Sequence, residues 1–349
     1  MHASYNQLLH SNQIGAGGAP VHEHILVAGG AGYIGSHTVQ LLLDQGYQVT
    51  VLDNLSTGHA RSVGQAELIQ CDLCDRGGLL HLLEGKTFTG IIHFAGKSQV
   101  GESIAEPLAY FDNNVTGSLN LINYAVQAGI DRFVFSSSAA VYGHPSSSVI
   151  DENHAIKPIN PYGMSKAMVE TMLVESARAQ GLSSIALRYF NAAGAWPDQD
   201  LGEDHDPETH LIPNVLTSLL PQPGKNHSPG PVKIFGKDYA THDGTCIRDY
   251  IHVRDLAEAH VLALRHLKGL PGALMLNLGS GSGNSVLEII QTCQQVTGRK
   301  IPHLAAPRRT GDPAVLVADN RLAEEVLGWQ PQRNLMTIIE DAWRWHQKR

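Results

Sequence analysis

Cysteine, long apolar runs and excess positive charge are all scarce in this 349-residue chain. Four cysteines are too few for a disulfide framework in a chain of this length. No apolar run approaches the roughly 18–20 residues that a membrane-spanning helix needs. The net charge of −8 argues against a protein that binds the phosphate backbone of nucleic acids. We therefore expect a cytoplasmic globular protein that binds neither a membrane nor nucleic acid.

The sequence also lacks an evident metal site. Cys71 and Cys74 form a CxxC, but "ELIQCDLCD" is typical of a strand followed by a loop, and no second CxxC completes a zinc site. The 19 histidines are scattered, and His22 and His24 are the nearest approach to a ligand pair. No metal is therefore predicted, and the cysteines are interpreted as structural thiols.

The first residues resemble neither a signal peptide nor a packed element. "MHASYNQLLHSNQIGAGGAP" has no basic segment followed by an apolar core, so a secretory signal is not predicted. We interpret residues 1–23 as a mobile leader.

Short apolar strands alternate with helical stretches over the first half of the chain. The strands are predicted at "HILVAG", "QVTVLDN", "AELIQCDL", "GIIHFAG", "RFVFSSS" and "SSIALRYFN". This alternation predicts an α/β fold with a doubly wound, parallel Rossmann-type sheet over residues 24–190. Loop-rich stretches then predict a smaller, mixed lobe over 191–349, with a helix at 251–268 that packs back on the first domain.

Three glycines mark the turn between the first strand and the first helix. Gly29, Gly32 and Gly35 have GxxGxxG spacing, one residue different from GxGxxG. Glycine permits a tight turn and a close approach of backbone N–H groups to a pyrophosphate, and a helix N-terminus favours negative charge. The motif predicts a dinucleotide site; a structural turn without a ligand is the alternative.

Two acidic residues follow the next two strands. Asp53 ends the second strand, 18 residues beyond Gly35, where a carboxylate hydrogen-bonds the adenosine ribose of a dinucleotide. The same charge repels a 2′-phosphate, so NAD is predicted rather than NADP. Asp72, after the third strand, is a candidate for the adenine amino group. An acidic turn residue is the alternative interpretation of Asp53.

The stretch "NPYGMSK" places Tyr162 and Lys166 four residues apart. Asn160 suits a helix N-cap and Pro161 the first helical position, so a helix is predicted over 161–180. Side chains at i and i+4 share one helix face. An ammonium beside a phenol stabilises the phenolate, which turns the tyrosine into a usable base. A surface tyrosine beside a solvated lysine is the alternative.

Several stretches together resemble the UDP-glucose 4-epimerase family of extended short-chain dehydrogenases/reductases. The glycine triplet and the Tyr–Lys pair are typical of the superfamily, whereas "APRRTGDP" and "DGTCIRDYIHV" are specific to the epimerases. The likeness extends from about residue 24 to the C-terminus. It also includes "LDNLSTG", "HFAGKSQVGES", "YFDNNVTGSLNL", "SSSAAVYG", "RYFNAAGA" and "GEDHDPETHLIP".

The resemblance implies interconversion of UDP-galactose and UDP-glucose by inversion at C4 through a transient 4-keto intermediate, with tightly bound NAD. Tyr162 would remove the proton of the 4-hydroxyl group. Lys166 would hold the nicotinamide ribose and keep Tyr162 acidic, and Ser138 would hydrogen-bond the reacting oxygen.

The resemblance further implies the contacts of both ligands. Besides the residues above, it assigns the cofactor to Tyr33, Ile34, Asn54, Leu73, Phe94, Ala95, Gly96, Asn113 and Tyr189. For the sugar nucleotide it implies diphosphate contacts from Asn191 and Arg248, phosphate and ribose contacts from Arg309 and Asp312, and packing of Phe235 against uracil. His210 and Leu211 complete the implied substrate site.

The chain departs from the common epimerase pattern at four positions. Ser98 stands where lysine is usual and Ala140 where threonine is usual, and His210 replaces an asparagine of other relatives. Leu316 replaces a tyrosine or cysteine that limits bulk at C2 of the sugar. Because leucine is smaller than tyrosine, a UDP-N-acetylglucosamine/UDP-N-acetylgalactosamine 4-epimerase is an open alternative.

Three other activities are compatible with the same fold. A 4,6-dehydratase needs an Asp–Glu pair where this chain has Ala139 and Ala140. A uronate-acting enzyme needs a cation for the sugar carboxylate, which nothing in the sequence marks. An NAD-sensing binding protein has no use for Tyr162, Lys166 and Ser138 together. The resemblance also implies a homodimer formed through helices 107–128 and 161–180.

Overall fold

The computed structural model describes residues 23–145, 147–221, 230–309 and 312–349. Residues 1–22, the bulk of the predicted leader, lie outside the described residues. Among the helices of the described part, none is both long and apolar enough to cross a membrane.

Seven parallel strands form the main sheet, which confirms the predicted doubly wound α/β fold. Their spatial order is β11-β7-β5-β4-β1-β2-β3. The strands are β1 (His24–Ala28), β2 (Gln48–Asp53), β3 (Glu67–Gln70), β4 (Gly90–His93), β5 (Arg132–Ser138), β7 (Ser183–Tyr189) and β11 (Ala273–Leu278). The last of these comes from the segment assigned to the second lobe, and the sequence pattern did not reveal it.

Helices cover both faces of this sheet, which explains why its strands are apolar at consecutive positions. In β1, Ile25 and Val27 face one hydrophobic cluster, and Leu26 and Ala28 face the other. All four side chains are fully buried. The first cluster is closed by helices α1 (Tyr33–Asp44) and α8 (Val253–His266), and the second by α2 (Arg76–Leu82), α5 (Gly117–Gln127) and α6 (Pro161–Gln180).

The predicted helix over 107–128 is interrupted. Helix α3 (Val100–Ala105) precedes it, α4 (Pro107–Tyr110) begins it, and a wide π-helical turn occupies Phe111–Thr116 before α5. Such turns inside helices occur frequently at functional sites.

The second lobe has a mixed sheet with strand order β12-β10-β14-β6 and with β8 paired to β10. Here β10 and β12 are antiparallel, whereas β10 and β14 are parallel. The strands are β6 (Val149–Ile150), β8 (Asn191–Ala193), β10 (Ile247–His252), β12 (Gly283–Ser285) and β14 (Val315–Ala318). Strands β9 (Val232–Phe235) and β13 (His303–Ala306) form a separate parallel pair.

A third hydrophobic cluster lies in this lobe and includes Ile212, Ile234, Ile289 and Ile339. Its helices are α7 (Leu211–Thr217), α9 (Val286–Thr297) and α11 (Leu335–His346), and α10 (Arg321–Leu327) lies against β11. Short 3₁₀ turns occupy Ala60–Val63, Ala139–Tyr142 and Pro197–Gln199. The predicted boundary at residue 190 stays a prediction.

Candidate active site

The order of the strands reverses between the neighbouring strands β1 and β4, which makes this place the switch point of the sheet. Doubly wound sheets bind their ligands in the crevice at the carboxyl ends of the strands on either side of the switch point. Gly29 follows β1 with φ of +79°, and a Cβ there would lie 2.3 Å from the backbone nitrogen of Ala95, which follows β4. A Cβ at Gly35 would lie 2.1 Å from the carbonyl oxygen of Gly29. Both positions therefore require glycine for steric reasons, and the two loops meet where the switch point of the sheet lies.

The first turn of α1 is suited to an anion. Its N-cap, Gly32, provides no side-chain hydrogen bond, and the first turn carries no acidic residue. The first N–H groups of a helix lack partners within the helix, and the helix dipole favours negative charge beside them. The turn thus fits the pyrophosphate of a dinucleotide.

Asp53 links the loops around this turn. Its Oδ2 accepts a hydrogen bond from the Ala31 backbone N–H at 3.0 Å, and its Oδ1 accepts one from Leu55 N–H at 2.9 Å. A carboxylate has about four lone-pair sites, so two stay available for a ribose hydroxyl group. Asp72 lies nearby, where it accepts from Asn54 Nδ2 at 3.1 Å and from Cys74 N–H at 2.8 Å. The hydrogen bond from Cys74 is the main reason that the pKa of Asp72 is lowered.

Sequence reasoning missed Asn114, which lies in the π-helical turn beside the predicted Asn113. The buried Asn114 side chain accepts from Lys97 N–H at 2.8 Å and donates to Lys97 O and to Ser165 Oγ, both at 3.0 Å. It therefore fixes the loop after β4 to helix α6. Two asparagines in the middle of a predicted helix, where asparagine is unfavourable, were the available signal.

Helix α6 begins and ends as predicted. Asn160 is its N-cap and accepts the Gly163 N–H at 2.8 Å, Pro161 occupies its first position, and Gly181 ends it in the left-handed region. The helix carries Tyr162 and Lys166 into the protein, where 8% and 5% of their surfaces are exposed. The alternative of a solvated surface pair is therefore wrong.

Lys166 reaches across to β5. Its Nζ donates to the Ser136 carbonyl oxygen at 2.8 Å and lies 4.9 Å from the centre of the Phe135 ring and 5.9 Å from that of Tyr162. A Cβ at Gly96 would lie 3.5 Å from the same Nζ. The loop after β4, the end of β5 and helix α6 thus converge at one ammonium group.

Burial dominates the titration of both side chains. It lowers the pKa of Lys166 to about 8, which Glu170 partly opposes, and it raises the pKa of Tyr162, which a hydrogen bond with the Ser138 side chain partly opposes. The spacing of the two residues indicates the effect of the ammonium on the phenol but not this cost of desolvation. Positive charge beside Tyr162, such as the Lys166 ammonium, therefore has to offset the rise in the pKa of Tyr162 caused by burial before this residue can act as a base near neutral pH.

A buried ion pair supports the site from behind. Glu170, one helical turn beyond Lys166, accepts from Arg188 Nε at 2.8 Å and Nη2 at 2.7 Å, and from Ser137 Oγ at 2.6 Å. Arg188 also donates to the hydroxyl of Tyr142 at 2.9 Å. The group joins α6 to β5 and β7, and sequence reasoning missed it because its members lie up to 51 residues apart (Ser137 to Arg188).

The predicted sugar-nucleotide residues form pairs in the second lobe. Arg248 Nη2 donates to Asp312 Oδ1 at 2.8 Å, and the Arg309 guanidinium lies 4.2 Å from the centre of the Phe235 ring. Asn191 donates to the carbonyl oxygen of Asp249 at 2.9 Å.

Two further predicted residues, His210 and Leu316, also lie in the second lobe. His210 is the N-cap of α7, which begins at Leu211. Leu316 pairs with Arg248 in the register of β14 and β10. The position predicted to limit bulk at C2 of the sugar therefore lies beside a predicted diphosphate contact.

The interpretation of the cysteines as structural thiols stays a prediction. All four are free. Burial raises the pKa of Cys71, and it raises that of Cys74 to about 11, so neither thiol is activated for redox chemistry.

Comparison with known proteins identifies the family of the chain. The sequence matches the NAD dependent epimerase/dehydratase family over residues 25–279. It is 48% identical to the UDP-glucose 4-epimerases of Halalkalibacterium halodurans, over 93% of this chain and 96% of that protein, and of Rhizobium meliloti, over 93% and 98%. The crystal structure of UDP-glucose 4-epimerase from Brucella ovis in complex with NAD superposes with a TM-score of 0.87 at 47% identity, over 92% of this chain and 97% of that one.

Proposed function

The chain belongs to the UDP-glucose 4-epimerase group of the NAD dependent epimerase/dehydratase family, and on that premise we propose that it interconverts UDP-galactose and UDP-glucose. The observation that carries the proposal is the burial of Tyr162, Lys166 and Ser138 together beside the glycine turn of a doubly wound sheet. An NAD-sensing protein would need the turn but not these three side chains.

NAD, when bound, supplies the acceptor and donor of one hydride. The first turn of α1 would hold its pyrophosphate, Asp53 its adenosine ribose, and Lys166 its nicotinamide ribose. The remaining predicted cofactor residues surround the same edge of the sheet. Because Asp53 also repels a 2′-phosphate, the site favours NAD over NADP.

Tyr162 is proposed as the catalytic base. Its phenolate oxygen takes the proton of the 4-hydroxyl group while the C4–H bond breaks and its electron pair leaves as a hydride. Ser138 donates a hydrogen bond to the same sugar oxygen, which becomes the carbonyl oxygen of the 4-keto intermediate. Tyr162 returns the proton to that oxygen when the hydride is added to the opposite face of C4. The sugar therefore regains the proton and the hydride that it lost, and the only net change is inversion at C4.

Lys166 is proposed to stabilise the phenolate. An unlike charge close to a titrating group favours its ionised form. The positive charge of oxidised nicotinamide acts in the same direction. Together these charges oppose the effect of burial, which raises the pKa of Tyr162.

The second lobe is proposed to bind the UDP group. Arg248 and Asn191 suit the diphosphate, since a guanidinium can donate two parallel hydrogen bonds to phosphate oxygens. The diphosphate would compete with Asp312 for Arg248. Phe235 offers its ring to the uracil. Arg309, Asp312, His210 and Leu211 complete the proposed contacts.

Acceptance of N-acetylated sugars depends on Leu316 in this proposal. A leucine leaves more space than a tyrosine at the C2 side, so UDP-N-acetylgalactosamine is expected to react more slowly in Leu316→Tyr than in the wild-type enzyme. The ratio of kcat/KM for the two sugars measures the effect. An unchanged ratio would remove Leu316 from the specificity site.

A homodimer is proposed on the evidence of exposed apolar side chains. Leu108 and Ile104 are 80% and 65% exposed, and Met164, Met168 and Leu119 are each more than 40% exposed. All lie on the helices over 100–127 and 161–180, whose pairing with a second copy would form a four-helix interface. Light scattering of the purified protein tests the mass. We separately propose that the enzyme lies in the cytoplasm, and cell fractionation tests this location.

Incubation with UDP-galactose, without added NAD, tests the proposed reaction. Proton NMR of the anomeric signals should show conversion to a mixture with UDP-glucose, because the cofactor stays bound through the cycle. If no conversion occurs even with NAD supplied, the assignment of UDP-hexoses is wrong.

A further inference from the structure

Four side chains of one loop converge between helix α1 and helix α7. Glu203, His205, Glu208 and His210 each offer one ligand atom, and these four atoms all lie within 4.8 Å of one another. The pattern is E-x-H-x-x-E-x-H, so eight consecutive residues contain the whole group. We propose that these residues bind a divalent transition-metal ion of the zinc class.

The distances between the donor atoms suit such an ion. Bonds of about 2.0–2.1 Å in a tetrahedral zinc site place neighbouring donors roughly 3.3–3.5 Å apart. His205 Nδ1 lies 3.3 Å from Glu203 Oε1 and 3.8 Å from Glu208 Oε2, and His210 Nδ1 lies 3.7 Å from Glu208 Oε1. His210 Nδ1 also contacts Glu203 Oε1. Side-chain shifts of about 1 Å would bring the four donors onto one ion, since neighbouring donors of a tetrahedral zinc site lie about 3.3–3.5 Å apart.

The donor types narrow the class of ion. Two imidazole nitrogens and two carboxylate oxygens are ligands that zinc accepts in four-coordinate sites. Calcium and magnesium prefer sites made of oxygen alone. With no thiolate among the four, the group also suits neighbouring first-row dications that bind imidazole, such as cobalt and nickel.

The charges of the group favour a dication. Only 3% of the Glu203 side chain is exposed, and burial of a carboxylate is costly unless a positive charge compensates it. The Glu208 side chain is 17% exposed and adds a second carboxylate to the group. One dication would neutralise both carboxylates and leave both histidines neutral.

The position of the group suggests what the ion does. The His205 ring lies edge-on to the ring of Tyr33, with centroids 6.2 Å apart, and the Tyr33 hydroxyl donates to the carbonyl oxygen of Gly194 at 2.7 Å. At its other end the loop leads directly into α7 through its N-cap, His210. The ion would therefore hold the loop between the predicted cofactor helix and the predicted contact at Leu211. This role rests on the proposed function, but binding of the ion does not.

Zinc binding by the full chain without a histidine tag tests the proposal. After removal of metal with a chelator, calorimetric titration with zinc chloride should show one ion for each chain. Glu203→Gln should lower the affinity by more than about tenfold, since even partners one step removed from a zinc ion change affinity by about 10–100-fold. Asp204→Asn is the matched control, because the Asp204 carboxylate lies 2.6 Å from Arg61 instead of in the group; its affinity should equal that of the wild type.

A second variant covers the case in which Glu203→Gln fails to fold. His205 is 26% exposed, so His205→Gln keeps the fold and should lower the affinity in the same way. Absence of saturable zinc binding by the wild type would mean that the group contains imidazole–carboxylate ion pairs only, and would overturn the proposal. Equal affinities for the wild type and His205→Gln would also overturn it. Both measurements are made without a sugar nucleotide, so they are independent of the epimerase assignment.

Discussion

The proposed catalytic centre and the proposed sugar-nucleotide site are built differently. Lys166, Glu170 and Arg188, on or beside helix α6, are each at most 5% exposed. In the second lobe, the Arg248 and Asp312 side chains are 12% and 29% exposed. The first region is held by buried hydrogen bonds before a ligand arrives, whereas the second can exchange its contacts when a ligand binds. Changes in the first should therefore affect stability and turnover, and changes in the second should affect KM.

The largest expected effect comes from the ion pair behind the site. Glu170→Gln leaves the buried Arg188 without a charged partner, which typically costs about 3–5 kcal/mol in the free energy of unfolding. Urea denaturation measures it. Glu175→Gln is the control on the same helix, because Glu175 forms an exposed pair with Arg178 that contributes at most about 1 kcal/mol. Equal losses in the two variants would contradict the distinction between the buried and the exposed pair.

The next effect is on the pH dependence of turnover. Lys166→Ala removes the ammonium that favours the phenolate, so the pKa of Tyr162 should rise by about one to three units. The pH at which activity appears should rise by the same amount. In the wild type, the contribution of Lys166 should fade as the pH rises through about 8, where burial has placed its pKa.

Rate–pH profiles of kcat for the wild type, Lys166→Ala and Lys268→Ala check this expectation. Lys268 is 71% exposed and pairs only loosely with Glu23, at 3.6 Å, so its removal should leave the profile unchanged. A Lys166→Ala profile that coincides with that of the wild type would count against the proposed tuning of Tyr162.

The folded state also responds to pH through Lys166. Since its pKa is lowered from 10.5 to about 8 on folding, the unfolded chain binds more protons between these values. The contribution of Lys166 to stability should therefore rise with pH from about 8 to 10.5. Denaturation at several pH values, compared with the Lys166→Ala variant, isolates this contribution; a difference that falls over that range would contradict it.

The smallest effect is expected in the second lobe. Arg248→Lys keeps the charge but loses the two parallel hydrogen bonds that are proposed to the diphosphate, so KM for UDP-galactose should rise by about tenfold with little change in kcat. Arg308→Lys is the control, because Arg308 is 44% exposed and pairs with Asp238. A fall in kcat with unchanged KM for Arg248→Lys would place Arg248 at the reacting sugar instead of the diphosphate.

The sequence predicts features that depend on neighbouring residues better than features that depend on distant segments. The glycine turn, Asp53 at the end of its strand and the helix from Pro161 to Gln180 all depend on neighbours in the chain, and their local structure is as predicted. Strand β11 was missed because it joins the sheet from 84 residues beyond β7 in sequence (Ala273 from Tyr189). Asn114, Glu170 and Arg188 were missed for a related reason, since their partners come from distant segments.

Desolvation was the other physical effect that the sequence could not supply. The pairing of Tyr162 with Lys166 was readable from their spacing, but the burial that raises one pKa and lowers the other depends on the whole fold. The loop over 203–210 shows the converse case, because its spacing was present in the sequence and its significance became visible only when the four side chains converged.

Assay of Tyr162→Phe, with bound NAD measured on the same sample, tests the central claim most directly. Phenylalanine fills the same space without the phenol oxygen, so NAD should stay bound. Conversion of UDP-galactose should fall by about 10²–10⁴-fold, the usual contribution of a positioned base. A variant that retains its NAD and more than about a tenth of the wild-type rate would contradict the assignment of Tyr162 as the base.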